Sequence, residues 1–376
     1  MAGHVRRRGQ GWQARYPDPA RGGTAKVERA FRTRREAEDW LTSQGAAILR
    51  GEHHDPRKAD RPWREVAEAW QATWVDLEPK TRGGYESILR HHLLPHWGGR
   101  KVGGITHEAV QKWVSGLSAA GLAPGTVRSV YSVFRSATNA GVRLGLVRVN
   151  PCAAVRLPRI PHHEMLSLTA EEVRAVAEAI HPAYRALVYT AAYTGLRAGE
   201  VGGLRRRNLD LLHSRLIVAE ALKEVGGRLH VGPPKTHEHR AVSLPSFLRD
   251  MLAEHLSTFS PGGAGPEAYV FQTVTGAPIR HNLFYRRYFK PAVRAALPIE
   301  KHGLRFHDLR HTCASLLIAA GAHPKAIQQR LGHSSIQITM DRYGHLLPSV
   351  DDALAGALDA THAAALEPLS VRVLHG

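Results

Sequence analysis

The apolar positions fall into three differently patterned stretches. Near the start, Gly11-Trp12-Gln13-Ala14-Arg15-Tyr16 alternates with the period of a strand, Pro17 to Gly23 is rich in turn formers, and Ala25 to Arg32 reads as a further strand. Thr33 followed three residues later by Glu36 has the spacing of a capping box and predicts a helix over 35–49. After a polar linker over 51–60 the period becomes helical. Trp63, Val66, Trp70 and Trp74 recur at spacings of three and four, which marks them as core rather than base-stacking residues. Thr81 is expected to cap a second helix with Tyr85, Ile88 and Leu89. Thr106 and Glu108 open a third, with Val110, Trp113, Val114 and Leu117. Pro124-Gly125-Thr126 opens a fourth, with Val127, Val130, Val133 and Phe134. A proline-rich exit from Asn150 to Pro161 reads as an interdomain linker.

In the third stretch, Thr169 before Glu171 and Glu172 starts a helix, and 184–193 predicts a buried helix ended by Gly195. Residues 215–219, 228–231 and 240–244 read as three short strands, expected to form one small antiparallel sheet. Helices resume over 282–294 and 309–320. The fold class is therefore α+β, mainly α. The expected organisation is a small strand-and-helix module (1–57), a helical domain (61–160), a third domain (162–349) and a partly helical, alanine-rich tail (350–376).

Charge sharpens this picture. The 376 residues carry 51 Lys plus Arg against 33 Asp plus Glu, a formal net charge of +18, which favours a polyanionic partner. Ten of the basic residues are lysine and the other 41 arginine, a bias that GC-rich codons also produce, although codon bias does not account for the excess over acids. Two cysteines, Cys152 and Cys313, exclude a disulfide scaffold and any four-cysteine metal site. There is no run of about 18 apolar residues and no signal-like amino terminus, so no membrane span is expected. A cytoplasmic, nucleoid-associated protein is the expectation.

Three stretches concentrate chemistry. Thr194-Gly195-Leu196-Arg197-Ala198-Gly199-Glu200 sets an arginine where one helix ends and the next begins, a ready anion site. In His307-Asp308-Leu309-Arg310-His311, His307 and Arg310 are three apart and share a helix face. Leu331-Gly332-His333 is followed ten residues later by Tyr343. Paired arginines, histidines and a tyrosine suit phosphoryl transfer to a phenol.

In the order TGLRAGEV, PPKTHEHR, HDLRH, LGHSS and DRYGH, these residues resemble the catalytic domain of the tyrosine recombinases, the phage-integrase family. The resemblance covers roughly 165–347. The helical segment before it is similar to the family's core-DNA-binding domain, and residues 1–57 resemble the arm-type DNA-binding module of longer integrases. The resemblance implies that Arg197 and Arg310 hold the scissile phosphate and that Glu200 supports the site. It implies Lys235 as general acid, in preference to Lys223. His307 would accept the tyrosine proton, His333 would bond the phosphate, and Tyr343 would be the nucleophile. Gly344-His345 differs from the commoner Thr-His or Ser-His. The implied reaction is site-specific integration of a phage or other mobile element. It runs through a 3′-phosphotyrosyl link and a Holliday junction, with no metal or cofactor. Its partners would be double-stranded attachment-site DNA, three further copies in a homotetramer, and an excisionase or host DNA-bending protein.

Several of these residues also fit plainer roles. His307 and His311, four apart, could ligate zinc, but Asp308 replaces the expected glutamate and Arg310 is an adjacent cation, so His311 reads as a supporting residue. Arg205-Arg206-Arg207 is equally a DNA contact or a solvated helix end. Cys313 reads as a small buried residue. A DNA-binding regulator of the same fold that does not cut, and a type IB topoisomerase, are the alternative functions.

Overall fold

The computed structural model describes residues 3–19, 24–50, 56–161, 165–234, 239–346 and 350–366. It divides into two compact units, residues 1–162 and 163–376.

The first unit begins with an antiparallel sheet of β1 (His4–Arg8), β2 (Gly11–Pro17) and β3 (Lys26–Phe31), in that spatial order. The sequence reading misses β1 for a physical reason. HVRRR buries no face, so it carries no alternation, and it is fixed by backbone pairing to β2 from His4↔Arg15 to Arg8↔Gly11. Helix α1 (Arg34–Leu49) opens on the expected capping box. Thr33 Oγ1 accepts from Glu36 N, and the Glu36 carboxylate accepts from Thr33 N at 3.1 Å. Ala14, Tyr16, Val27 and Ala37 form a thin core.

The rest of this unit is helical, with α2 (Trp63–Ala72), α3 (Pro79–Ile88), α4 (Leu94–Trp97), α5 (His107–Ala119) and α6 (Pro124–Arg143). A π-turn over Leu89–Leu93 joins α3 to α4. Trp63, Trp97 and Trp113 surround Phe134 at ring distances of 5.1–5.3 Å. Trp70 and Trp74 are buried as well. Thr106 caps α5 through Ala109 N, as its position suggests. Thr81 does not cap α3. Pro79 occupies the first helical position, where its fixed φ costs nothing, so the helix starts three residues earlier.

The second unit contains α7 (Ala170–Ala179), α8 (Arg185–Thr194), α9 (Ala198–Gly203), β4 (Leu209–Asp210), β5 (Arg215–Val218), β6 (Ala221–Val225), β7 (Arg228–Gly232) and β8 (Arg240–Ser243). Helices α10 (Ser246–Thr258), α11 (His281–Phe284), α12 (Lys290–Ala296), α13 (Asp308–Ala319), α14 (Pro324–Leu331), α15 (Ile336–Tyr343) and α16 (Val350–Leu366) follow. The sheet differs from expectation. Its order is β4-β5-β8, and the strand at 228–232 pairs instead with β6 in a separate hairpin. Gly226 and Gly227, at φ 55° and 76°, make the two-residue turn that forces this local pairing. The core gathers Tyr184, Leu187, Leu196, Leu216, Phe271 and Phe289, and α13 runs against α8. Among the described residues, no helix is long and apolar enough to cross a membrane.

Candidate active site

The second unit carries a cleft of about 1110 Å³. Its described lining includes Arg197, Arg240, Arg310, Arg330 and Arg342, with His307 and His333, and no carboxylate. A surface of that sign selects an anion.

Glycines place the first two arginines. At Gly195, φ is +68°, which ends α8; a Cβ there would collide with Leu331 and crowd Cys313. The turn delivers Arg197 to the N-cap of α9 and turns Gly195 O toward Arg310, whose Nη1 donates to it at 2.6 Å. Gly332, at φ +64°, ends α14 and accepts from Arg197 Nη2 at 3.1 Å. A Cβ at Gly332 would press on the Arg240 guanidinium.

Glu200 organises the cationic side. It is 2% exposed and accepts from Arg197 N (2.9 Å), Arg197 Nη1 (2.8 Å), Arg240 Nη1 (3.2 Å) and Arg240 Nη2 (2.7 Å). Burial pushes its carboxyl up, but the Arg240 bonds and charge, with those of Arg197, outweigh burial and hold it below the usual carboxylate range. Glu200 thus stays ionised and fixes two guanidinium groups. Arg310 is more deeply buried and has less support. Burial, then repulsion from Arg197, lowers its pKa to about 10, so it remains a cation at neutral pH. Its Nη2 is buried with no hydrogen-bond partner among the described residues. Such a donor is costly unless a ligand supplies the acceptor.

The histidines divide by environment. His307, at the N-cap of α13, is exposed at the cleft wall; the desolvating walls and then Arg310 lower its pKa. His333 is buried and brought down to about 4 by desolvation, then by Arg310 and Arg197, so it is neutral. Its Nδ1 lies 2.8 Å from Thr339 Oγ1. Tyr343 ends α15 and is not among the described cleft-lining residues. It is 1% exposed within a small cluster of Cys313, Ala314, Ile318, Ile327 and Leu331, and burial pushes its phenol to about 12. Its Oη lies 2.7 Å from His311 Nδ1.

The structure therefore gathers Arg197, Glu200, His307, Arg310 and His333 at one cleft, with Tyr343 behind it. Lys235 lies outside the described residues, and its rival Lys223 lies on β6. The bond to Tyr343 is made by His311, which the sequence reading held to be supporting, and no hydrogen bond joins His307 to Tyr343 among the described residues. Sequence reasoning also missed Arg240, Arg342 and Thr339. Arg240 opens a strand of inward-facing alternation five residues after Lys235. Thr339 precedes Tyr343 by one helical turn, a spacing that puts both on one face. The run Arg205-Arg206-Arg207 is committed to the fold. Arg205 and Arg207 pair with Glu220 and Glu267, and Arg206 donates to Leu256 O and Ala264 O. Cys313 is buried, its thiol pKa raised by desolvation. Among the described residues, no group of His, Cys, Asp and Glu could hold a metal ion.

Comparison with known proteins gives the family of the chain. The phage integrase family matches residues 166–349, and the phage integrase N-terminal SAM-like domain matches residues 64–118. A putative prophage phiRv2 integrase of Mycobacterium tuberculosis is 30% identical, covering 95% of this chain and 94% of the relative. The integrase of Mycobacterium phage D29 is also 30% identical, covering 87% and 88%. Among solved structures, the Tn1549 transposon integrase in complex with a circular intermediate DNA has a TM-score of 0.67 at 19% identity, covering 78% of this chain and 99% of that one. A lambda integrase tetramer bound to a Holliday junction has a TM-score of 0.57 at 18% identity, covering 89% and 92%.

Proposed function

This chain belongs to the phage integrase family and is a tyrosine site-specific recombinase, and from that premise we propose how its residues divide the work on double-stranded DNA. The observation that carries the proposal is the buried Nη2 of Arg310, which has no partner among the described residues, in a cleft that Arg197 also lines and whose described lining holds no carboxylate. A phosphodiester oxygen supplies the missing acceptor. Arg197 and Arg310 then hold the scissile phosphate, while Glu200 and Arg240 keep Arg197 aimed. His333, neutral and oriented by Thr339, donates to a phosphate oxygen, and His307 faces the same anion from the cleft wall. Tyr343 attacks phosphorus, and Lys235 protonates the leaving 5′-oxygen. The resulting 3′-phosphotyrosyl bond keeps the energy of the cleaved ester, so a 5′-hydroxyl from a second duplex can reverse the step on a new partner. Two such exchanges through a Holliday junction need four active sites, hence a homotetramer on the DNA.

Residues 61–160 are assigned to the core site and residues 1–57 to arm-type sites, with α16 as a segment exchanged between protomers. An excisionase or host DNA-bending protein would set direction. The substrate would be the attachment sites of a phage or other mobile element, which places the protein with the nucleoid in the cytoplasm.

The test is a suicide substrate, nicked duplex carrying the attachment site. Wild type forms a covalent adduct that survives denaturation, and Tyr343→Phe forms none. A regulator of the same fold forms no adduct in either case. A type IB topoisomerase relaxes supercoiled DNA that lacks the site.

A further inference from the structure

We propose that His311 is the group that takes the phenol proton of Tyr343 during strand cleavage. This rests on the reading of Tyr343 as nucleophile and moves the proton acceptor from His307, which the family resemblance implies, to the histidine bonded to the tyrosine. The Oη–Nδ1 distance of 2.7 Å is that of a made hydrogen bond, and the two rings lie 5.7 Å apart, centroid to centroid. Both side chains are buried, and Tyr343 packs on Ala314, Ile318, Ile327 and Leu331 with the His333 ring 6.4 Å from its own. His307 stands on the far side of the pair. Its ring is 5.3 Å from that of His311, edge to face, and it is exposed at the cleft. His311 therefore sits between the nucleophile and the wetter wall, where a transferred proton can be shared out.

The protonation states fit a base that acts in the transition state. His311 is brought to about 4, by burial first and then by His307, while burial holds Tyr343 at about 12. Both are neutral at pH 7, so no phenolate stands ready. The charged and titratable groups acting on His311 are His307 at the N-cap of its helix, Asp308 on that helix, Arg305 before it, Arg342 and Tyr343 on α15, and His333. As the Oη–P bond forms, electron density leaves the phenol oxygen and its acidity rises. The proton then passes to Nδ1, the P–O5′ bond breaks, and the 5′-oxygen takes its proton from Lys235. In the reverse step, His311 returns the proton to the departing phenol. This requires the tautomer with hydrogen on Nε2.

The experiment is single-turnover cleavage by the full chain on two nicked attachment-site duplexes. One carries the normal phosphodiester and the other a 5′-bridging phosphorothiolate, whose sulfur leaves without a proton. His311→Gln and His311→Ala should cut both duplexes about 10²–10³-fold more slowly than wild type. Lys235→Ala should be slow on the first and recover on the second. On the sulfur duplex, the wild-type rate should be flat above about pH 6, whereas His311→Gln should rise about tenfold per pH unit as hydroxide replaces the base. Recovery of the His311 variants on sulfur, or rates within about threefold of wild type on both duplexes, overturns the proposal. A faster variant also overturns it and makes the bond a latch. Thermal melting identifies any variant that has not folded, and His311→Asn then replaces it. If wild type forms no adduct on either duplex, the nucleophile reading fails first; if wild type reacts and Tyr343→Phe does not, that reading stands whatever His311 does.

Discussion

The arginine cleft and the tyrosine seat lie back to back in the second unit and are built on opposite principles. The cleft collects Arg197, Arg240 and Arg310 around the single buried carboxylate of Glu200 and leaves cationic donors over. The seat holds Tyr343 and His311 neutral in an apolar cluster. One region is charged and incomplete without an anion; the other is uncharged and already satisfied. The contrast separates holding a phosphate, which needs fixed charge, from making a nucleophile, which needs a proton taken only when the bond forms. It breaks most visibly at Arg310. Arg310→Met should slow cleavage by about 10²–10³-fold, the usual loss when a fixed donor to transition-state charge is removed. It should lower the melting temperature only modestly, because relief of a buried cation with an unpaired donor offsets the lost bond to Gly195 O. A large drop in melting temperature would mean that Arg310 is held by the fold for its own sake.

Glu200 is the converse case. Glu200→Ala leaves two guanidinium groups without their carboxylate, and breaking a buried pair in this way costs about 3–5 kcal/mol. Chemical denaturation should show the loss as a lower midpoint at unchanged slope. Glu200→Gln, which keeps acceptor oxygen without charge, should lose less. Equal losses would make hydrogen bonding rather than charge the source of the cleft's cohesion.

How legible these regions are in the sequence follows from the same contrast. Hydrophobic period finds what buries apolar faces, so α2, α5, α6 and α8 stand out, as does the row of Trp63, Trp70 and Trp74. It fails at β1, an edge strand with no buried face, and at β6, whose partner is chosen by the Gly226-Gly227 turn. The cleft is legible as chemistry because Arg197, Arg310 and His333 sit in short motifs with local logic. The seat is not legible in this way. The bond from His311 to Tyr343 joins two helices 32 positions apart, and only the packing of α13 against the segment after it brings them together. Arg240 escapes notice for a similar reason, since its meaning lies in Glu200, 40 residues earlier.

Acidity should act on the buried histidines of both regions before it reaches Glu200. His311 and His333 have folded-state pKa values near 4 against an ordinary 6.5, so the unfolded chain takes up their protons first. Stability is then complete above about pH 6.5 and falls as pH drops toward 4, with a slope of about 1.4 kcal/mol per pH unit for each histidine. Glu200, whose carboxyl is lowered, adds its own loss only below the ordinary carboxylate range. Denaturation midpoints between about pH 7 and pH 4 measure this, and His311→Gln should reduce the slope. A slope that persists unchanged would mean that His311 does not hold its neutral form in the folded protein.

The smallest expected effect tests a polar tie between the two regions. Thr339 lies one turn before Tyr343 on α15, and its Oγ1 bonds His333 Nδ1 at the cleft. The nucleophile helix and the phosphate-facing histidine are thereby held in one register. Thr339→Val keeps the shape and the buried methyl but leaves Nδ1 without a partner, at a cost of about 1–3 kcal/mol. His333 is then free to turn or change tautomer, and cleavage should slow by about tenfold or less, because the arginines still hold the phosphate. Thr339→Ser restores the hydroxyl and should recover the rate while losing only the packing of one methyl, about 1 kcal/mol. If Ser and Val lose rate equally, the threonine acts by filling space, and its hydroxyl does not set the register of the two regions.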